Sequence, residues 1–329
     1  MLTYDSALST MQKITGVSAN NTADSATLIQ FWNDSRRTVA GINGGKWPWL
    51  EIEEEVDTVA NQDYVEIPNH INKIMSVRQQ NGSDPTDVIY RPRMVFDSAT
   101  WDMLLQTLYG PSSVPYNCYE RNGRLYIFPT PDTTGNRVIM RGRLKIRDIN
   151  ITDYTTGTIV SIANDATTVT GSGTTWTTSM AGRYIRITET DAANGGDGYW
   201  YEIASVTNAT TLVLKKPYQG TSIVVGSAAY RIGLITYEPE QYQMAPIYRA
   251  VAQYWDYKEN MVLSERYWRS YDGGVEIGLS QEYGGLIGQM LQEAGESMEG
   301  PYIEPTSRYG PNVGNGLPYY NPWLDASGF

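Results

Sequence analysis

The chain has 329 residues, with 36 acidic against 25 basic side chains, a formal net charge of −11 and 41% hydrophobic residues. That length has room for about two domains with their own cores, and the charge argues against a protein that grips nucleic-acid phosphate, which would need a basic face, though not against a wall that DNA slides past. One cysteine, Cys118, excludes an intramolecular disulfide, and one histidine, His70, excludes a paired-histidine zinc site or acid–base couple, so both read as structural.

In chain order, 5–15 and 22–42 read as helices. Thr22 or Asp24 can cap the second, Leu28, Phe31, Trp32 and Val39 recur near helical spacing, and the glycines at 41–45 end it. The period then changes: 49–56, 64–67 and 72–77 alternate as strands. A compact helix at 97–109 is signalled by Asp97 or Ser98 as cap, by Trp101, Leu104, Leu105 and Leu108 on one face, and by Gly110-Pro111 as stop. Two further strands follow at 124–128 and 137–146.

Residues 157–232 read as a β-module inserted between partly helical flanks. Short β-branched or aromatic runs at 157–162, 167–170, 183–188, 199–206 and 211–216 are separated by Asn, Asp and Gly turns. This spacing predicts a small antiparallel sandwich or barrel. After it, 242–271 is the longest helical pattern, with Met244, Ile247, Val251, Tyr254 and Met261 on one stripe and Pro246 in the first turn. A glycine-interrupted helical pattern runs from Val275 to Met290. From 300 to 329 the chain is rich in Pro, Gly, Asn and Tyr and reads as an extended arm that orders on binding. The expected division is therefore a body at 1–154, an inserted β-domain at 155–234, closing helices at 235–299 and the arm at 300–329.

Chemical signals are sparse. Glu51, Glu53 and Glu55 alternate along one strand, so three carboxylates share a face, read as solvated or lumen-facing. Glu189, Asp191, Asn194 and Asp197 lie in a glycine-rich loop that could offer calcium oxygen ligands, but the spacing fits no EF-hand. Gly171-Ser-Gly173 lacks the remaining elements of a dinucleotide or phosphate loop, and no G-x-S-x-G accompanies His70. No enzyme activity, cofactor or metal is expected; a two-carboxylate glycosidase is the catalytic reading left open. With no basic leader and no apolar stretch near the roughly 20 residues of a membrane helix, the chain is expected to be soluble and made in the cytoplasm.

Several local patterns carry a family resemblance. They are Trp47-Pro-Trp-Leu-Glu51, Val59-Ala-Asn-Gln-Asp-Tyr-Val-Glu-Ile-Pro68, Ile74-Met-Ser-Val77, Gly110-Pro111 to Pro115-Tyr116, and the stretch from Asn122-Gly123 to Pro131-Asp132. In order and spacing the chain resembles the head-to-tail adaptor, or connector, proteins of tailed bacteriophages. Thr170-Gly-Ser-Gly-Thr-Thr-Trp176 and Tyr201-Glu-Ile-Ala-Ser-Val206 are similar to a β-module found in phage virion proteins. The resemblance implies an α+β fold, with a helical adaptor body carrying a small sheet, the inserted all-β sandwich or barrel, and the C-terminal arm. It implies a structural virion protein at the head–tail junction, assembled in the host cytoplasm. Such a protein forms a homo-oligomeric ring of twelve, binds the portal protein and tail (nozzle, stopper or fibre) proteins, and lets DNA pass without specific binding. On that reading Glu51, Glu53 and Glu55 line the channel, and Tyr302, Tyr309, Tyr319, Tyr320 and Trp323 on the arm contact partners.

Trp32, Trp49, Trp101, Tyr254 and Trp255 are assigned to the core by their spacing. The rival function is a receptor- or glycan-binding tail protein, with Trp176, Tyr199, Trp200 and Tyr201 as candidate platform aromatics. Strand alternation already sets Trp200 opposite Tyr199 and Tyr201.

Overall fold

The computed structural model of the chain describes residues 1–82, 89–107, 115–189, 195–224, 227–273 and 285–298. It opens with α1 (Tyr4–Thr15), closed by Gly16 in the left-handed region at φ 74°, and α2 (Thr22–Gly41). The cap of α2 is Asn21, whose side chain accepts from the Asp24 backbone N–H at 3.1 Å. Thr22 and Asp24 are instead the first and third helical residues. Leu28, Trp32 and Val39 are buried, as helical spacing requires of the stripe facing the core.

The next hundred residues correct the expected helical body. They form eight strands: β1 (Glu51–Asp57), β2 (Tyr64–Glu66), β3 (Ile71–Gln80), β4 (Ile89–Tyr90), β5 (Arg93–Val95), β6 (Asn117–Arg121), β7 (Arg124–Phe128) and β8 (Arg137–Leu144). Two four-stranded sheets result, in the orders β1-β8-β3-β4 and β2-β7-β6-β5. Their apolar faces meet in one core, with Ile74, Val77, Val138 and Met140 from the first and Val65, Cys118, Leu125 and Ile127 from the second. The fold is thus mixed, with helices beside three sheets. The reason lies in β4, β5 and β6, which are short or polar: β6 reads Asn-Cys-Tyr-Glu-Arg and leaves no apolar alternation to recognise.

A single helix, α3 (Ser98–Thr107), lies between β5 and β6 in sequence. The Asp97 carboxylate accepts from the Thr100 N–H at 2.8 Å and from its hydroxyl at 2.9 Å, which caps the helix and holds the Asp97 carboxyl below its ordinary range. Only Trp101 is buried, stacked on Tyr119 with centroids 5.6 Å apart; Leu104 is half-buried and Leu105 exposed. Leu108 lies outside the described residues.

Residues 158–233 form a curled six-stranded sheet of β9 (Thr158–Ser161), β10 (Thr168–Ser172), β11 (Tyr184–Ile187), β12 (Trp200–Asn208), β13 (Thr211–Leu214) and β14 (Tyr230–Gly233). The order is β14-β11-β12-β13-β10-β9. Bridges Ile159↔Ala228 and Ile162↔Ile223 draw the β9 edge toward the chain leading into β14. It is therefore one curled sheet and not a two-sheet sandwich. Its core is separate, from Ile159 to Ile232, with the Trp176 indole N–H donating to the Tyr230 hydroxyl at 2.9 Å. Gly171 sits where a Cβ would come within 2.8 Å of the Trp176 ring, so the turn at 171–173 serves packing.

The expected helix at 242–271 is two helices, α4 (Met244–Tyr257) and α5 (Met261–Asp272). Glu259 adopts φ 57°, and the Asn260 side chain accepts from the Leu263 N–H at 3.2 Å, which starts a new helix. The pair folds back on itself: Tyr248 stacks on Tyr267 at 6.3 Å, and the Arg249 guanidinium lies 5.2 Å from the Trp268 ring. Pro246 lies in the first turn of α4, where its missing N–H costs nothing. A last helix, α6 (Gly285–Met298), packs Ile287 and Met290 against Val39, Trp47 and Tyr271. Part of the glycine-interrupted pattern, 274–284, lies outside the described residues. Of the five aromatics assigned to the core, Trp32, Trp101 and Tyr254 are buried, while Trp49 and Trp255 are half-buried.

Two buried carboxylates join these parts. Arg36 on α2 and Glu238, just after β14, are both 0% exposed, with Nε and Oε1 3.4 Å apart; Arg36 also donates to the Arg147 carbonyl at 2.9 Å. Asp153 accepts from the Thr3 hydroxyl at 2.5 Å and pairs with Arg231 at 3.3 Å, beside the Tyr154↔Ile232 bridge where the chain enters and leaves the curled sheet. Burial pushes the Asp153 carboxyl up to about 6, against the pull of Thr3 and Arg231.

Three outcomes are expected. Because Tyr154 and Ile232 are paired neighbours and the curled sheet has its own core, replacing 157–232 with a short Gly-Ser linker leaves a cooperatively unfolding body with its helical circular dichroism intact. Arg36→Ala strands a buried carboxylate and lowers stability by about 3 to 5 kcal/mol in urea unfolding. For Asp153 the folded form holds its proton to higher pH than the unfolded chain, so its contribution is favourable below about pH 4 and is lost as pH rises through about 6. Asp153→Asn is therefore expected to gain stability relative to the parent between pH 4.5 and pH 7, by about 3 kcal/mol at most. An equal loss at both pH values would show instead that the charged pair with Arg231 is the stable form.

Candidate functional site

The three carboxylates singled out in the sequence lie on the outer face of the first sheet, where Glu51, Glu53, Glu55 and Asp57 of β1 are all exposed. Antiparallel register places Arg143, Arg141, Ile139 and Arg137 of β8 opposite them in that order. Directly paired residues share a face, so the next strand adds Lys73, Ser76, Arg78 and Gln80 of β3 to the same surface. The inner face carries Ile52, Val56, Val138, Met140 and Val77 into the core between the sheets.

The result is a ladder of opposite charges. Glu51 accepts from Arg141, and Glu53 from Arg78. Glu55 pairs with Arg137 at 2.9 Å, and the same guanidinium reaches Asp57 at 4.0 Å. The Arg141 guanidinium is held above its ordinary value chiefly by its hydrogen bond to Glu51. At one end stand Lys73, Arg143 and Lys145, which have no carboxylate partner among the described residues; Arg143 donates instead to the Gly44 carbonyl at 2.8 Å. The face that reads as acidic in the sequence carries more cations than carboxylates in the sheet. The signal was present as Arg137-x-Ile-x-Arg-x-Arg-x-Lys145, a period-two run of cations, but its register against β1 is a tertiary fact.

The remaining expected sites are dispersed. Cys118 is buried beside Met94, and burial pushes its thiol up to about 12, which suits a structural side chain and not a nucleophile. His70 is exposed with its Nε2 3.0 Å from Glu54, on a different strand face from the other glutamates. Asp197 accepts from the Tyr201 hydroxyl and, at 3.1 Å, from the Tyr199 N–H, which leaves it organising its own turn. Asp191 and Asn194 lie outside the described residues, and no metal-holding cluster occurs among the described ones. Of the four candidate platform aromatics, Trp176 is buried, Tyr201 packs on Tyr218 at 5.4 Å, and only Tyr199 is largely exposed. Tyr302, Tyr309, Tyr319, Tyr320 and Trp323 lie outside the described residues.

Two apolar surfaces escaped the sequence reading. On and beside α3, Phe96 is 85% exposed, and Met103, Leu105 and Tyr116 are exposed with it. At the corner between α4 and α5, Tyr257, Met261 and Val262 are exposed, with Tyr257 edge-on to Phe31 at 6.4 Å. Periodicity assigns such residues to a core; only the fold shows how far they are exposed.

No helix among the described residues is long and apolar enough to cross a membrane. Compared with known proteins, the chain matches no family model and no curated protein.

Proposed function

We propose that the chain is a structural subunit of a tailed-phage particle, which closes into a ring between portal and tail and continues the DNA channel. The observation that carries this reading is the pair of exposed apolar groups on different elements, Phe96, Met103 and Leu105 at α3 and Tyr257, Met261 and Val262 at the α4–α5 corner. Large exposed apolar side chains grouped at one element are what an interaction site would use. Two unlike surfaces on one chain suit a head-to-tail contact, the type that closes into a ring when its rotation divides a full turn. The adaptor-like stretches between Trp47 and Asp132 support the same reading, as does a first sheet whose outer face is charged. In this reading α3 of one copy docks on the α4–α5 corner of the next, the first sheet faces the channel, and the curled sheet is left for tail components. The glycan-binding alternative loses its platform, since Trp176 and Tyr201 are engaged within the curled sheet.

The contact is tested by sedimentation of two double variants, Met103→Ser with Leu105→Ser and Met261→Ser with Val262→Ser. Exposed positions should leave the monomer's stability within about 0.5 kcal/mol of the parent. Neither variant should form rings alone. Mixed together they should form dimers and nothing larger, because one intact α3 surface meets one intact corner. If either variant forms rings like the parent, the head-to-tail reading is wrong.

A further inference from the structure

We infer that the outer face of the first sheet is a latent contact surface for duplex DNA phosphate, kept from binding by its own acidic strand. The face presents six cations, Lys73, Arg78, Arg137, Arg141, Arg143 and Lys145, on adjacent strands, against four carboxylates confined to the edge strand β1. Along β8, positions 141, 143 and 145 recur every two residues, a spacing of about 7 Å. The Lys145 N–H donates to the His70 carbonyl at 2.7 Å, so pairing with β3 continues to that position. A row of positive charge along adjacent strands suits a linear polyanion, and it stands out in a chain of net charge −11.

The partners explain the restraint. Glu51, Glu53 and Glu55 each engage a different arginine, Arg141, Arg78 and Arg137. A phosphate approaching those guanidiniums must displace a carboxylate already in contact, so the gain from each new pair is nearly cancelled. Lys73, Arg143 and Lys145 remain to give weak, exchangeable contacts. A surface of this kind lets a polyanion pass without holding it, whereas unmasked arginines would bind and stall it. The choice of duplex DNA as the occupant rests on the channel reading; the masking itself rests on the ion pairs.

The test is fluorescence anisotropy of a labelled duplex with the full chain. The parent is expected to show no binding at about 0.15 M salt. The triple variant E51Q/E53Q/E55Q should bind at least tenfold tighter than the parent at low salt. The slope of log affinity against log salt should lie near −3 to −5, at about −0.9 for each phosphate contacted. Adding K73A/R143A/K145A should remove that gain. The control E120Q/E240Q/E265Q makes the same change in net charge away from this face and should gain nothing. The inference is overturned if the folded triple variant gains no duplex affinity, if the control gains as much, or if the variant takes anionic vesicles in preference to duplex. Ring formation is read separately by sedimentation, so an absent gain in affinity with normal rings counts against this inference alone.

Discussion

The buried pair of Arg36 and Glu238 is the constraint on which the arrangement of the chain depends. Arg36 extends from α2, Glu238 follows the last strand of the curled sheet, and the Arg147 carbonyl that Arg36 also holds lies just beyond β8. Three stretches distant in sequence are therefore fixed at one point. Removing two charges from water costs several kcal/mol each, and the pair offsets that cost only while both members are in place. The Trp32 ring, 5.3 Å from the Arg36 guanidinium, adds a cation–π contact on the apolar side. Asp153 repeats the device nearby, tying the start of α1 to β14 through Thr3 and Arg231. The curled sheet is thus attached to the body by polar contacts at its two adjacent ends, while its own apolar core stays separate.

The charged ladder on the first sheet follows a different logic. Exposed ion pairs of this type contribute about 0 to 1 kcal/mol each to stability, so the ladder does little to hold the sandwich together. Its effect is on what the face can bind. Confining carboxylates to an edge strand and cations to the two strands beside it makes a surface whose positive charge is largely offset by paired carboxylates. Charged side chains on an edge strand also discourage pairing with another sheet. Both consequences come from the same residues.

The exposed apolar side chains at α3 and at the α4–α5 corner follow a third logic. A helix held by one buried tryptophan, α3, and a helical corner displaying Tyr257, Met261 and Val262 gain little within a monomer. Their burial between copies would supply the hydrophobic contribution that the monomer forgoes. The skew of the composition toward Tyr and Trp agrees with this, because such side chains combine large apolar area with a polar tip.

Much of the local structure is legible in the residues themselves. The stripe of Leu28, Trp32 and Val39 marks α2, Pro246 marks the first turn of α4, and the alternating runs between 157 and 216 mark strands, because each is a property of neighbouring residues and a fixed backbone period. The sandwich was not legible, since β4, β5 and β6 are too short or too polar to alternate and become strands only by pairing, β4 with β3, β6 with β7 and β5 with β6. The break at Glu259 was hidden inside a continuous helical pattern, and its positive φ is decided by how α5 folds back on α4. The three glutamates on one face of β1 could be read from alternation alone. That arginines stand opposite them could not, because cross-strand register depends on the packing of the opposite face. Local sequence determined the periods and the turns of this protein. Tertiary structure decided which charges are paired and which apolar side chains remain uncovered, because both depend on contacts between residues far apart in the chain.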